Sequence, residues 1–226
     1  MKLLVLRHAT TAWNRARLLQ GRHDQPLAPE GLTEAAGWHL PYWAKDWPVL
    51  TSPLRRAQQT AEAMGLPYQV ADWLIEMDWG RWEGQRLAHL RRELGPTMAR
   101  QEARGLDMTP TGGESPRHVR DRLDAGLSRL ALQERHQPAP PPGHPRQYAH
   151  WVVGRGSGPV LCASKDKTGL VAVAHKGVLR ALLSLATGWD MTQPWPLAFR
   201  PGCGHLFVLD AQRRLRLVAL NLELSP

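Results

Sequence analysis

Short apolar runs alternate with helical stripes along this chain. Residues 2–6 form one such run, and Leu170 to Ala174 (LVAVA) form another rich in branched side chains. Each is followed by a polar pair and then by a helical pattern, the strand, loop, helix succession of an α/β fold. Apolar positions at Leu32, Ala35, Ala36, Leu40 and Trp43, entered through Pro29-Glu30-Gly31, predict a helix from Leu32 to Trp43. A brief strand is expected over Trp47 to Thr51. Ser52-Pro53 then reads as an N-cap with proline at the first helical position, opening a helix with the stripe Leu54, Ala57, Thr60, Ala61 and Met64 that ends at Gly65.

Tyr68 to Ile75 predicts a third strand. Ser115-Pro116 repeats the cap-plus-proline signal ahead of Val119, Leu123, Gly126, Leu127 and Leu130, which share one helical face. A helix from Gly177 to Ala186 should stop at Gly188, and strands around His205 to Leu209 and Leu215 to Leu220 should form a hairpin about Asp210. One stretch, QPAPPPGHPRQ at 137–147, fits neither helix nor central strand, because proline fixes φ and lacks the N–H donor. It predicts a surface insertion over about residues 134–169 rather than a docking motif.

The 226 residues suffice for one well-buried α/β domain spanning 1–226, whereas two would both be small. The first apolar run is too short for a secretory or membrane segment, and no later stretch approaches about twenty apolar residues, so a cytoplasmic protein with no membrane partner is expected. Cys162 and Cys203 lie far apart without CxxC spacing, which suggests neither a disulfide framework nor a metal site. The formal charge of +9 comes mostly from arginines spread along the chain, with no basic run or aromatic-interleaved motif; nucleic acid is therefore not an expected partner. A positive field also attracts phosphorylated small molecules. Nothing in the sequence specifies an oligomeric state.

In doubly wound sheets, ligands sit beyond the carboxyl ends of the strands. Arg7-His8 follows the first strand, Ser52 to Arg56 the second, Glu76 the third and His175 the LVAVA strand. Adjacent strands would bring two arginines, two histidines and one glutamate into one crevice. Arginine forms bidentate bonds to phosphate oxygens at any relevant pH. An imidazole can attack phosphorus, and nearby guanidinium groups disfavour its protonation. A carboxyl group such as Glu76 can then protonate the leaving alkoxide.

These segments resemble the histidine phosphatase superfamily, also called the phosphoglycerate mutase-like family. "RHATTAWN" at 7–14 matches its R-H-G-x-T-x-x-N signature at all but the glycine. "QGRHDQPLAPEGLTEA" at 20–35, "TSPLRRAQQTAEAM" at 51–64, "EMDWGRWEG" at 76–84, "GGES" at 112–115 and "VAVAHKGVLRALL" at 171–183 continue the match in order. The resemblance implies a three-layer α/β/α fold, with a mainly parallel sheet and helices on both faces. It implies that His8 is the phosphorylated nucleophile and that Arg7, Arg56 and His175 bind the phosphoryl group, Arg56 rather than Arg55 fitting the family spacing. Glu76 matches the proton donor, Asn14 a phosphate-side hydrogen bonder, and Gln20-Gly21 the loop lining the substrate. No metal or other cofactor is implied.

Two departures stand out. Ala9 replaces the usual glycine, which requires only that a methyl group fit the turn after His8. Lys176 replaces the first glycine of the common "HGG", adding a charge that touches the phosphate or, more simply, faces solvent. "GRWEG" and the compact span from Glu76 to Gly112 resemble the phosphatase branch, including its α-ribazole phosphatase-like members. The expected activity is hydrolysis of a small-molecule phosphomonoester. Phosphoglycerate mutase-type transfer, whose basic residues Arg91-Arg92 could imitate, and non-catalytic binding of a phosphorylated ligand are the alternatives. Residues 85–112 read as loops over the crevice. Trp13, Trp79 and Trp82 would form an apolar rim or simply pack, while Asp24, Glu83 and Glu114 are explained equally by the family motifs, by helix capping or by surface ion pairs.

Overall fold

A computed structural model describes residues 1–135, 169–194 and 198–224. The proline-rich stretch at 137–147, nearly all of the expected insertion, and Cys162 lie outside the described residues. The chain begins with β1 (Lys2–Arg7), α1 (Ala12–Arg15) and α2 (Pro29–Ala36), followed by β2 (Val49–Thr51), α3 (Arg55–Ala63) and β3 (Gln69–Val70). Helices α4 (Leu87–Leu94), α5 (Pro96–Ala103) and α6 (Pro116–Arg135) lead to β4 (Gly169–Ala174), α7 (Lys176–Thr187), β5 (Cys203–Leu209) and β6 (Leu215–Glu223).

The strands form one six-stranded sheet in the order β3-β2-β4-β1-β5-β6. The pairings β3/β2, β2/β4 and β4/β1 are parallel, and the closing pairs β1/β5 and β5/β6 are antiparallel. Successive strand residues point to opposite faces, and both faces are covered. Leu3 and Val5 of β1 join Leu123 and Leu127 of α6 and Leu179 and Leu182 of α7 in one buried cluster. Leu4 and Leu6 join Val171 and Val173 of β4, Ala35 of α2, and Ala57 and Ala61 of α3 in the other. The mainly parallel, doubly covered architecture therefore agrees with the sequence reading.

Several predicted boundaries move. The helix expected to reach Trp43 stops at Ala36, with Gly37 as C-cap, and the chain resumes after Pro41 as a single 3-10 turn, Tyr42–Ala44. Proline lacks the donor needed to continue, and Leu32 and Trp43 are exposed while Gly31 and Ala35 are buried. Ser52 does not cap α3: its N–H still donates to Val173 in the sheet ladder, so Pro53 lies in the turn and the helix starts at Arg55. The third strand shrinks to two residues because its partner β2 is itself short, and Asp72–Leu74 coils into a 3-10 turn. Residues 85–112 are not simple loops: α4 and α5 pack Leu90 and Met98 against Trp82.

The loop leaving β1 is held between helices. Thr10 receives the N–H of Ala28, and its own N–H and hydroxyl both donate to Glu34 on α2. Gly31 packs so closely on the Thr10 carbonyl that a β-carbon there would overlap it. Gly31→Ala should therefore destabilise the protein by about 2 kcal/mol despite alanine's better helix propensity. Urea denaturation is the check; a neutral or stabilising result would contradict this contact.

Candidate active site

The parallel strands β1, β2 and β4 end level with one another: Arg7 pairs with Ala174, and Thr51 with Val173. The ladder continues one step further through His8 N–H to Ala174 and Ser52 N–H to Val173. His8, Ser52 and His175 consequently emerge side by side, with the two imidazole ring centres 5.2 Å apart.

His8 is buried and its Nδ1 lies 2.7 Å from the Ala9 carbonyl. A carbonyl can only accept, so Nδ1 carries the proton in the neutral ring and Nε2 keeps a free lone pair. The Ala9 N–H donates to the Thr60 hydroxyl (3.0 Å), which donates onward to the Arg56 carbonyl (2.7 Å). The methyl group of Ala9 fits the turn, buried in the cluster beneath α2 and α3.

Arg56, 1% exposed, is aimed by two backbone acceptors, the Gly21 carbonyl at 2.7 Å and the His23 carbonyl at 2.8 Å. Its Nε, like that of Arg7, is buried without a hydrogen-bond partner among the described residues. The loop supplying those carbonyls is fixed by Glu83, whose carboxylate accepts the N–H groups of Arg22 (2.7 Å) and His23 (3.0 Å) and packs against Gly21 so tightly that no side chain fits there. Gly21 also has a φ of 53°. Gln20, at the head of the loop, is buried with its Oε1 unpartnered among the described residues.

Glu76 reaches the same end of the sheet and is buried. Its carboxylate accepts the N–H of Met77 at 2.8 Å and that of Gly177 at 3.1 Å, the latter in the first turn of α7. A β-carbon at Gly177 would collide with this carboxylate. Asn14 sits differently from the others: its Oδ1 accepts from the Thr11 N–H and hydroxyl in the capping box of α1. Its amide nitrogen has no hydrogen bond within the described residues.

Sequence reasoning did not identify two residues here. Ser52 Oγ lies 2.7 Å from His175 Nε2 and also accepts the Leu54 N–H at 3.3 Å. Arg122 on α6 donates to the Glu76 carbonyl and to the Glu114 carboxylate, both at 3.2 Å, tying the Glu76 segment to the helix. Asp24 accepts the Arg55 N–H and so caps α3; Glu114 also accepts the Asp78 N–H and pairs with Arg22. Trp82 is buried and Trp79 stacks on it, while the half-exposed Trp13 stacks on His23. Lys176 is exposed.

Burial, reinforced by the charges of Arg7 and Arg56, holds the His8 imidazole neutral well below its usual range. Burial does the same to His175, with Arg56 and His8 adding to it. Arg7 and Arg56 themselves bind their protons less firmly because they are desolvated. The arrangement can therefore receive an anion between two guanidinium groups and present a neutral imidazole to it. No group of histidine, cysteine, aspartate and glutamate among the described residues could hold a metal ion.

The neutral histidines have a consequence for stability. As the pH falls below the ordinary value of 6.5, the unfolded chain takes up protons before the fold does, so stability must decline. His205 in β5, lowered by burial to about 4, acts in the same direction. The slope should reach about 1.4 kcal/mol per pH unit for each such histidine, and His8→Asn should make it shallower. Urea denaturation between about pH 7.5 and 5.5 tests this; a flat profile would contradict it.

Residues 3–139 match the histidine phosphatase superfamily (branch 1). A bifunctional protein of Mycobacterium tuberculosis is 35% identical over 137 residues, 58% of this chain but 37% of that protein, so the chain spans under two fifths of that relative's length. An adenosylcobalamin/alpha-ribazole phosphatase of Salmonella typhimurium is 26% identical over 208 residues, 90% of this chain and 88% of its own length, and phosphoglycerate mutases are also among the relatives. The crystal structure of a putative alpha-ribazole-5'-P phosphatase from Escherichia coli superposes with a TM-score of 0.72 at 24% identity, covering 100% of this chain and 98% of that one. With the family motifs assembled at one end of a sheet of the same fold, the chain belongs to the histidine phosphatase superfamily, branch 1.

Proposed function

We propose that the protein is a cytoplasmic, metal-independent phosphomonoesterase working through a phosphohistidine on His8. The observation that carries this reading is the His8 imidazole: neutral, its Nδ1–H committed to Ala9, and its Nε2 free beside Arg7, Arg56 and His175. Membership of the superfamily and the likeness to named phosphatases support it. Among the described residues, no helix is long and apolar enough to cross a membrane.

In the first step, Nε2 of His8 attacks phosphorus and the ester P–O bond breaks. Arg7 and Arg56 neutralise the equatorial oxygens. The Ser52 hydroxyl, already accepting from Leu54, donates a hydrogen bond to His175 Nε2, which places the neutral ring's own proton on the buried and unpartnered Nδ1 as a further donor to the phosphoryl group. The Asn14 amide nitrogen supplies another. Glu76 protonates the leaving alkoxide, after which its carboxylate takes a proton from the water that attacks the phosphohistidine, releasing inorganic phosphate and restoring His8. Gln20 and Gly21 line the substrate side. Arg91, one of the two basic residues that could imitate those of a mutase, pairs on the surface with Glu102 at 2.7 Å.

Phosphate release from a panel of phosphomonoesters in EDTA should fall about a thousandfold or more in His8→Ala. Retention of activity by that variant would refute the mechanism, and phosphoglycerate interconversion without phosphate release would assign the mutase reading instead. Glu76→Gln should lose about a hundredfold or more on alkyl phosphates, whose leaving groups need a proton, and far less on nitrophenyl phosphate. Equal losses on both would exclude Glu76 as the proton donor.

A further inference from the structure

Beside the phosphoryl pocket, the charges on the first turns of α7 are not balanced. Lys176 opens the helix and Arg180 follows four residues later, on the same helical face. The Arg180 guanidinium is held over the Trp189 ring, 4.9 Å from its centre, and is half-buried. Neither cation forms an ion pair or a hydrogen bond among the described residues. Both feel the field of Glu76, but both oxygens of that carboxylate already accept backbone N–H groups, and Lys176 faces the further positive charge of Arg7. Desolvation and the neighbouring charges of Arg7 and Arg180 weaken the hold of Lys176 on its proton, against the opposing field of Glu76. Such a pair of cations is stabilised when an anion joins it.

We propose that Lys176 and Arg180 form a second anion subsite that holds a carboxylate or phosphate on the leaving-group side of the substrate. The side follows from Glu76: the group that protonates the leaving oxygen touches Gly177, the residue between the two cations, so whatever extends past that oxygen runs along this face of α7. The subsite therefore rests on the phosphomonoesterase reading, and it narrows the substrate class to phosphomonoesters bearing a second negative group. Arg180 offers a planar fork pre-oriented by Trp189, and Lys176 a compact charge reaching from the solvent side.

Phosphonates, which are not hydrolysed, test the subsite by binding alone. Titration calorimetry at low salt would compare a propylphosphonate with its terminal carboxylate and its terminal phosphonate counterparts. At least one of the two acidic compounds should bind about tenfold or more tightly than the neutral one. Which of them does so distinguishes a carboxylate from a phosphate as the natural second group. Lys176→Gln and, separately, Arg180→Gln should each remove most of the preference, whereas Arg129→Gln on the exposed face of α6 should leave it intact. Equal binding of acidic and neutral compounds, no binding of any, or a preference that survives both substitutions would overturn the proposal. A lysine-dependent preference in a protein that releases no phosphate from any ester would leave the subsite standing and refute the phosphomonoesterase reading.

Discussion

The site depends on keeping one imidazole neutral, oriented and buried among cations. The bond from His8 Nδ1–H to the Ala9 carbonyl does this, since it fixes the tautomer and the ring plane in one contact. It is held in turn by Thr60, which accepts the Ala9 N–H and donates to the Arg56 carbonyl. His8 and Arg56 are thereby referenced to the same buried hydroxyl. A shift of α3 relative to β1 would misplace both together, and the packing of Ala57 and Ala61 against the sheet opposes such a shift.

Electrostatics gives the rest of the site its character. Arg7 and Arg56 are desolvated with donor atoms unpartnered among the described residues, and the two histidines beside them cannot share the charge because protonating either is disfavoured. Concentrated positive charge of this kind is unfavourable for the fold and favourable for a dianionic ligand, a local strain of the sort found at functional sites. The apolar clusters on both faces of the sheet and the fixed loops around the pocket offset it. Glu83 is central to those loops: with one carboxylate it anchors the 20–23 loop whose carbonyls aim Arg56.

Much of this was legible in the sequence because the chemistry sits where the strand pattern ends. The runs at 2–6 and 170–174 located His8 and His175, and their parallel pairing follows from the strand, loop, helix rhythm. The Ser52-Pro53 pair shows the limit of local reading. The same dipeptide marks a helix cap when the serine has left the sheet and a crossing hydrogen bond to His175 when it has not, and only the neighbouring strand decides between them. Arg122 carries no local signal, since it lies between the stripe positions of α6 and its partners are 46 residues away at Glu76 and 8 away at Glu114. The stripe from Leu32 to Trp43 misled because Gly37 and Pro41 interrupt the backbone before the apolar period can matter.

The central claim is that phosphorus is transferred to Nε2 of His8. The most direct measurement is rapid quenching during turnover of a phosphomonoester, followed by peptide mass spectrometry under alkaline conditions that preserve phosphohistidine. The account predicts one acid-labile phosphoryl group on the peptide containing His8, present in the wild type and absent from His8→Asn. Turnover with no such adduct under conditions that trap it, or an adduct on another residue, would contradict it.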